Sequence, residues 1–193
     1  MIGLKLRQSG WRVNHKLVER LYALSGLQVR RRNARRCYCG RQPLLRPQQA
    51  NEVWSMDFAF DRTADGRVIK CLTVVDDATH EAVTVVPERA IGGEPLTRIL
   101  DRLGFERGLP RVIRTDNGKE FCGRAMLNWA HQRGVQLRQI QPGKPNQNAY
   151  IESYNGCLRD ERLKEHWFVS LGHAKTIIEA WRLEYNHERA RKH

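Results

Sequence analysis

The stretch Trp54-Ser55-Met56-Asp57-Phe58-Ala59-Phe60 decides the fold of this 193-residue chain. Large apolar side chains alternate in it with small or polar ones, and a period of two predicts a β-strand. The β-branched segment Val68 to Val75 follows Asp65-Gly66, a dipeptide typical of hairpin turns. Ala82 to Val86 forms a third candidate strand. The sequence therefore predicts that this region begins as a three-stranded meander.

Helices and strands alternate after the meander. A helix is predicted to begin at Gly93-Glu94 and to end near Gly108-Leu109-Pro110. The following elements are a strand at 111–115, a helix at 121–133, a strand at 135–140, a loop at 141–146, and helices at about 147–164 and 171–185. This order predicts an α/β fold, with a mixed five-stranded sheet flanked by helices.

Positive charge is concentrated at the start of the chain. The formal net charge is +13, and residues 1–50 hold 12 Lys and Arg against one acid, which leaves residues 51–193 nearly neutral. Such a distribution favours a polyanion partner whose binding weakens with salt. The alternative is a solvated basic face that keeps the protein soluble.

The basic region has two predicted parts, which precede a core at 51–193. Residues 1–28 contain one short helix with Asn14 as N-cap and Gly26 as its stop, in a helix-turn-helix-like segment. Residues 29–50 lack apolar periodicity and are predicted to form a basic linker. The candidate DNA-binding residues of these two parts are Arg12, Lys16, Arg20, Arg30, Arg31, Arg32, Arg35 and Arg36.

Composition argues against several classes of protein. No apolar run approaches the roughly 18 residues of a membrane span, and the first residues lack a secretory h-region, so we expect a cytoplasmic protein with no membrane partner. The five cysteines are odd in number and scattered, which argues against a disulfide framework. Cys37 and Cys39 have no second pair at zinc-finger spacing.

Three acids lie where this layout would gather them. Asp57 is in the first strand, Asp116 follows the fourth, and Glu152 is early in the helix after the loop. If the first and fourth strands are neighbours, Asp57 and Asp116 face one another, and carboxylate ligands suit Mg²⁺ or Mn²⁺. Helical spacing places Glu152, Asn155 and Arg159 on a polar face, away from an apolar stripe. Taken singly, each acid is more often a solvated surface carboxylate.

Three segments carry a resemblance to a known family. They are Trp54-Ser55-Met56-Asp57-Phe58, Arg114-Thr115-Asp116-Asn117-Gly118-Lys119-Glu120-Phe121, and Gly143 to Gly156, with 35 residues between Asp116 and Glu152. In motif and spacing the chain resembles the DDE transposase and retroviral integrase superfamily, and within it the OrfB product of IS-three-type insertion sequences.

The resemblance implies an RNase H-like fold and a metal-dependent DNA transposase. Asp57, Asp116 and Glu152 would be both catalytic residues and metal ligands for two divalent cations, Mg²⁺ or Mn²⁺, with Asp57 shared by both. Lys144, Asn155 and Arg159 are candidates for contact with DNA phosphate near the metals. The implied partners are double-stranded DNA, further copies of the chain, and an upstream OrfA product or OrfAB fusion, on the bacterial nucleoid.

The resemblance is incomplete at the end of the chain. Ala190 stands where the family's closing segment has proline, and three residues follow it. A truncated C-terminus is therefore an expectation. The alternative function is a catalytically incompetent, truncated DNA-binding product that modulates a full-length transposase; an RNase H-like nuclease is a third hypothesis, which the basic arm and the Asp116-to-Glu152 spacing disfavour.

Overall fold

A computed structural model describes residues 6, 9–27, 47–140 and 148–190 of the chain. It divides into two compact units, Met1–Pro43 and Leu44–His193. The predicted division at residues 28 and 50 stays a prediction. Arg30, Arg31, Arg32, Arg35, Arg36 and Lys144 lie outside the described residues.

The first unit contains helix α1, His15–Leu24. The Asn14 side chain accepts a hydrogen bond from Lys16 N at 3.1 Å, which satisfies one of the amides at the helix start. Gly26 follows the helix with φ +64. The predicted cap and stop are both confirmed. Arg12, Lys16 and Arg20 are exposed. The helix-turn-helix-like arrangement stays a prediction, because much of this unit lies outside the described residues.

The second unit is built on one mixed sheet, as the sequence predicted. Its strands lie in the order β3-β2-β1-β4-β5, with β1–β2 and β2–β3 antiparallel and β1–β4 and β4–β5 parallel. They are β1 (Val53–Arg62), β2 (Val68–Asp76), β3 (Ala82–Glu88), β4 (Val112–Thr115) and β5 (Gln136–Gln139). The first and fourth strands are neighbours, which is the arrangement on which the carboxylate hypothesis depended.

The helices of this unit differ from prediction in three places. They are α2 (Gly93–Arg107), α3 (Lys119–Cys122), α4 (Arg124–Arg133), α5 (Ala149–Leu158), a π-helical turn (Arg159–Leu163) and α6 (Leu171–Ala190). The single helix predicted over 121–133 is two, because Gly123 is extended between them with ψ 156. The helix predicted to reach residue 164 leaves α geometry after Leu158, and the last helix continues beyond Tyr185.

Two apolar layers cover the two faces of the sheet. Trp54 and Met56 of β1 pack into one core with residues of α2 and α4, whereas Ala59 packs into the other with residues of α5 and α6. Because successive strand residues point to opposite faces, Asp57 lies on the face of Ala59. The sheet therefore presents Asp57 on the side where α5 packs.

The last helix is attached to the edge strand through backbone groups. Ala82 N donates to Asn186 Oδ1 at 2.8 Å, and Asn186 Nδ2 donates back to Ala82 O at 3.0 Å. This paired contact satisfies an edge that would otherwise be open to pairing with another strand. None of the described helices is long and apolar enough to cross a membrane. Cys71, Cys122 and Cys157 form no disulfide.

Candidate active site

Strand register brings Asp57 and Asp116 side by side where β4 ends. The parallel pairing of β1 with β4 ends with Met56 opposite Thr115. Asp57 and Asp116 are the next residues on their strands, so they leave the ladder side by side. This is the carboxyl end of β4, the edge at which α/β sheets place their ligands.

Asp57 is held by neutral hydrogen-bond donors. Its Oδ1 accepts from Phe58 N at 2.7 Å, and its Oδ2 accepts from Asn155 Nδ2 at 2.9 Å. Partial burial raises the pKa of Asp57, and the charges of Asp116 and Glu152 raise it further, against the lowering effect of the two hydrogen bonds. The carboxylate is thus fixed in position, and no cationic side chain of the described residues pairs with it.

Asp116 is oriented by a tight turn after β4. Its Oδ1 accepts from Gly118 N at 2.9 Å, while Asn117 Nδ2 donates to Ile140 O at 3.3 Å. A Cβ added at Gly118 would lie 2.9 Å from Asp116 Oδ1 and 3.3 Å from Phe121 Cδ2. Only glycine therefore fits beside the carboxylate without moving it, and the turn fixes where Asp116 points.

Glu152 approaches from the helix that covers this face. It lies in the first turn of α5, and its side chain is exposed. Ile151 and Tyr154, its neighbours on the helix, are buried in the core shared with β1 and β2 and so anchor the helix to the sheet. Because the Glu152 charge raises the pKa of Asp57, the two carboxylates act on each other. Strand register thus places Asp57 beside Asp116, and Glu152 is within electrostatic range of Asp57.

The structure corrects the placement of Asn155. Helical spacing predicted a polar face and the resemblance implied a contact with DNA, yet the side chain is only 5% exposed and its amide donates to Asp57. The physical reason is that α5 packs against β1. Asn155 lies about one turn after Glu152 on the same side of the helix, and there it faces the sheet. A position three residues after Glu152 on a helix is the signal that could have identified it. Arg159 is exposed, as predicted.

A fourth acid in the motif is kept out of the carboxylate group. Glu120 forms an ion pair with the largely buried Lys70, whose Nζ also lies 3.9 Å from the centre of the Phe58 ring. Phe58 stacks on Phe121 at 4.8 Å between ring centres. The Lys70 partner lowers the pKa of Glu120. Sequence reasoning did not identify this pair, which joins β2 to the turn that carries Asp116.

The three acids form a concentration of negative charge. None of the ion pairs between described residues includes Asp57, Asp116 or Glu152. Among the same residues, no three His, Cys, Asp or Glu side chains are close enough to bind a single ion together. Asp57 and its neighbour Asp116 are the pair that strand register brings side by side, and an all-oxygen donor set of this kind fits hard divalent cations.

Comparison with known proteins shows the family. Two models described as integrase core domain match residues 47–145 and 133–192. An uncharacterised 31.7 kDa protein of insertion element IS407 from Burkholderia multivorans is 51% identical over 185 residues, which are 95% of this chain and 67% of that protein. A 39.2 kDa protein of IS476 from Xanthomonas euvesicatoria is 51% identical over 90% of this chain, which spans 51% of its length.

Solved structures agree on the fold. The simian T-cell lymphotropic virus intasome, solved with a PP2A regulatory subunit, aligns with a TM-score of 0.55 and 17% identity over 60% of this chain and 41% of the matched chain. The trimeric HTLV-2 integrase catalytic core aligns with a TM-score of 0.52 and 16% identity over 67% of this chain and 81% of that one. At these identities the likeness shows an RNase H-like integrase fold. The chain belongs to the integrase core domain family, as an insertion-element transposase of the DDE and retroviral integrase superfamily.

Proposed function

We propose that this chain catalyses the metal-dependent cleavage and strand transfer of DNA during transposition, as an OrfB-type product of an IS-three insertion sequence. The observation that carries the proposal is that Asp57 lies beside Asp116 where β4 ends and that the charge of Glu152 reaches Asp57, with no cationic side chain paired to any of the three among the described residues. Burying part of a carboxylate beside two others is costly unless a cation compensates it.

The cation requirement points to Mg²⁺ or Mn²⁺. Carboxylate oxygens are the ligands that these ions prefer, and the HTLV-2 integrase core, which shares the fold, was solved in complex with magnesium. Asp57 would contribute to two sites, one shared with Asp116 and one with Glu152. When bound, a pair of divalent ions supplies activation of the attacking oxygen and stabilisation of the leaving oxygen at phosphorus.

The chain's own residues prepare the site for this chemistry. The Phe58 amide and the Asn155 side chain hold Asp57 in one orientation, and the Gly118 amide does the same for Asp116. Glu152 is exposed on α5 and is the carboxylate with most freedom to adjust. Preorganised ligands of this kind lose little entropy when the site is assembled.

The reaction has two displacement steps at phosphorus. Water first cleaves the phosphodiester bond at the element end and frees a 3′-hydroxyl group. That hydroxyl oxygen then attacks a target phosphodiester, forming a new P–O bond as the target's 3′-oxygen leaves. Both steps exchange one P–O bond for another and require no covalent enzyme intermediate.

DNA would be held by the basic residues around and before the core. Arg159 is exposed close after α5, and Arg12, Lys16 and Arg20 are exposed on or beside α1. Each cationic side chain that neutralises a phosphate releases condensed counterions. These contacts supply affinity without sequence specificity. The remaining candidates are Arg30, Arg31, Arg32, Arg35, Arg36 and Lys144.

The active complex is proposed to be a multimer of this chain on paired element ends in the bacterial cytoplasm. An upstream OrfA product, or its OrfAB fusion, would supply recognition of those ends. The alternative of a catalytically incompetent DNA-binding product is disfavoured by the intact acid set, because residues without a catalytic role have no need to hold Asp57 and Asp116 side by side.

The test is a strand-cleavage assay on a labelled duplex that ends in the element's own terminal repeat. The chain, with its upstream partner where needed, is expected to nick at the 3′ end with Mg²⁺ or Mn²⁺ and to do nothing in EDTA. Asp116→Asn preserves the turn, because an Asn side-chain oxygen still accepts from Gly118 N. Equal product from wild type and this variant would refute the proposal.

A further inference from the structure

A buried ion pair lies on the same face of the sheet as the three acids. Arg114 Nη1 is 2.7 Å from Asp77 Oδ2, and the two side chains are 11% and 0% exposed. A charge buried to this degree needs a partner, because desolvation otherwise disfavours the ionised form. The proposed reaction uses neither residue, so the pair needs another explanation.

The pair crosses the central strand of the site. Arg114 of β4 is the register partner of Ser55 of β1, so its side chain starts next to β1. Asp77 comes directly after β2, and its amide donates to Val53 O of β1 at 2.9 Å. Since the strand order is β2-β1-β4, the Arg114 side chain must pass over β1 to reach Asp77. Ser55 is fully buried at the crossing, where its small side chain leaves room.

This crossing lies one step behind the carboxylates. Ser55 precedes Asp57 by two residues on β1 and is the register partner of Arg114, so the strand period places these three on one face, and Asp116 follows directly after β4. The ladder between β1 and β4 has only four residue pairs and ends immediately before the two acids. Repulsion between Asp57 and Asp116 therefore acts on the unpaired end of a short ladder.

The chemistry of the pair suits a rigid link between strands. An arginine donates from a rigid planar group, so its contact with a carboxylate fixes direction as well as distance. Burial raises the pKa of Asp77, and the Ser55 side chain and the Arg114 charge oppose part of that increase. Because the two charges cancel, the pair adds no net charge beside the acids.

We propose that the Arg114–Asp77 pair is a positioning device, which ties β4 to β2 across β1 and so sets the spacing of Asp57 and Asp116 for cation binding. The inference rests on the proposed function, since it concerns the same site. Neither residue touches substrate or metal, and both act through the strands that carry the acids.

The molecule offers a matched control on the opposite face. Arg107 lies 3.0 Å from Glu81 and 3.8 Å from the fully buried Asp76, the residue next to Asp77. Its guanidinium lies 5.8 Å from the ring centre of Trp54, in the other core. Arg107→Gln therefore breaks a comparable pair at the same end of the sheet, on the face opposite to the acids.

The experiment measures Mn²⁺ binding by titration calorimetry on the full chain without DNA, together with the melting temperature. Asp77→Asn and Arg114→Gln are expected to bind Mn²⁺ at least about tenfold more weakly than wild type, and Arg114→Lys should recover part of the loss. Arg107→Gln should lower the melting temperature and leave Mn²⁺ affinity unchanged. If a single variant fails to fold, the uncharged Asp77→Asn/Arg114→Gln double variant is measured in its place, with the same expected loss.

Two results would count against the inference in different ways. Wild-type Mn²⁺ affinity in the Asp77 and Arg114 variants would overturn it and leave the proposed function intact. Absence of Mn²⁺ binding by the wild-type chain itself would overturn the proposed function and this inference together. An equal loss of Mn²⁺ affinity in Arg107→Gln would show that the Arg114–Asp77 pair acts only through general stability. That result would also overturn the inference.

Discussion

Asp116→Asn should abolish cleavage and yet stabilise the metal-free protein. The substitution keeps the acceptor for Gly118 N and removes one of the like charges that raise the pKa of Asp57. Neighbouring strands lie about 4.8 Å apart. Two unit charges near 5 Å repel by roughly 0.8 kcal/mol in water and roughly 3 kcal/mol at an effective dielectric constant of 20. Because Asp116 is exposed, the lower end applies, and we expect a gain of about 1 kcal/mol.

The assay is thermal unfolding in EDTA at neutral pH. A gain of about 1 kcal/mol corresponds to a rise of roughly 2–4 °C in melting temperature for a protein of this size. The pKa of Asp57 is higher in the folded protein than in the unfolded chain, where it is near 3.8. Such a group lowers the free energy of unfolding as pH rises from the unfolded-state pKa through the folded-state pKa. The gain should therefore be complete at neutral pH and vanish below pH of about 4.

The matched control is Asp160→Asn, which removes an exposed acid that pairs with Lys164 at 2.7 Å and should give no increase. Added Mg²⁺ should stabilise wild type more than Asp116→Asn, because the variant lacks one ligand. A variant that melts at or below the wild-type temperature in EDTA would refute the account of a strained carboxylate cluster.

Three further predictions concern separate features. Gly118→Ala places a Cβ 2.9 Å from Asp116 Oδ1 and should reduce the cleavage rate at least about tenfold, with little change in melting temperature. An unchanged rate would argue against the role of this turn in orienting Asp116. Asn155→Ala loses a hydrogen bond to a charged group worth about 1.5–3 kcal/mol, so kcat should fall roughly 10–100-fold, whereas the exposed Asn117→Ala should be near wild type. Replacing the five linker arginines with glutamine should lower the slope of log K against log salt by about 0.9 for each lost phosphate contact, and an unchanged slope would exclude a role for the linker in DNA binding. Those arginines are Arg30, Arg31, Arg32, Arg35 and Arg36.

The sequence was sufficient for the sheet because its signals are local. Alternation around Asp57 and the Asp65-Gly66 turn identify the first hairpin, and Gly108 and Gly134 end their helices with positive φ. The site followed from motif spacing together with the placement of β4 beside β1. Helix ends were less accurate, since Gly123 and the π-helical turn after Leu158 interrupt segments whose apolar spacing continues.

The contacts that complete the site were not predictable in the same way. Asn155 is a polar residue on a helix, and such residues usually face solvent. Only the packing of the helix against β1 shows that its amide donates to Asp57. The pairs Lys70–Glu120 and Arg114–Asp77 join residues 50 and 37 positions apart, and no local pattern links them. Long-range pairing of charges depends on the finished sheet order, so these residues are identified only by the structure.

The most direct test of the central claim is anomalous diffraction from crystals of the full chain grown with Mn²⁺. The account predicts two manganese peaks, one between Asp57 and Asp116 and one between Asp57 and Glu152, and the loss of the first in Asp116→Asn. Manganese bound only at other residues, or none at these carboxylates at saturating concentration, would contradict it.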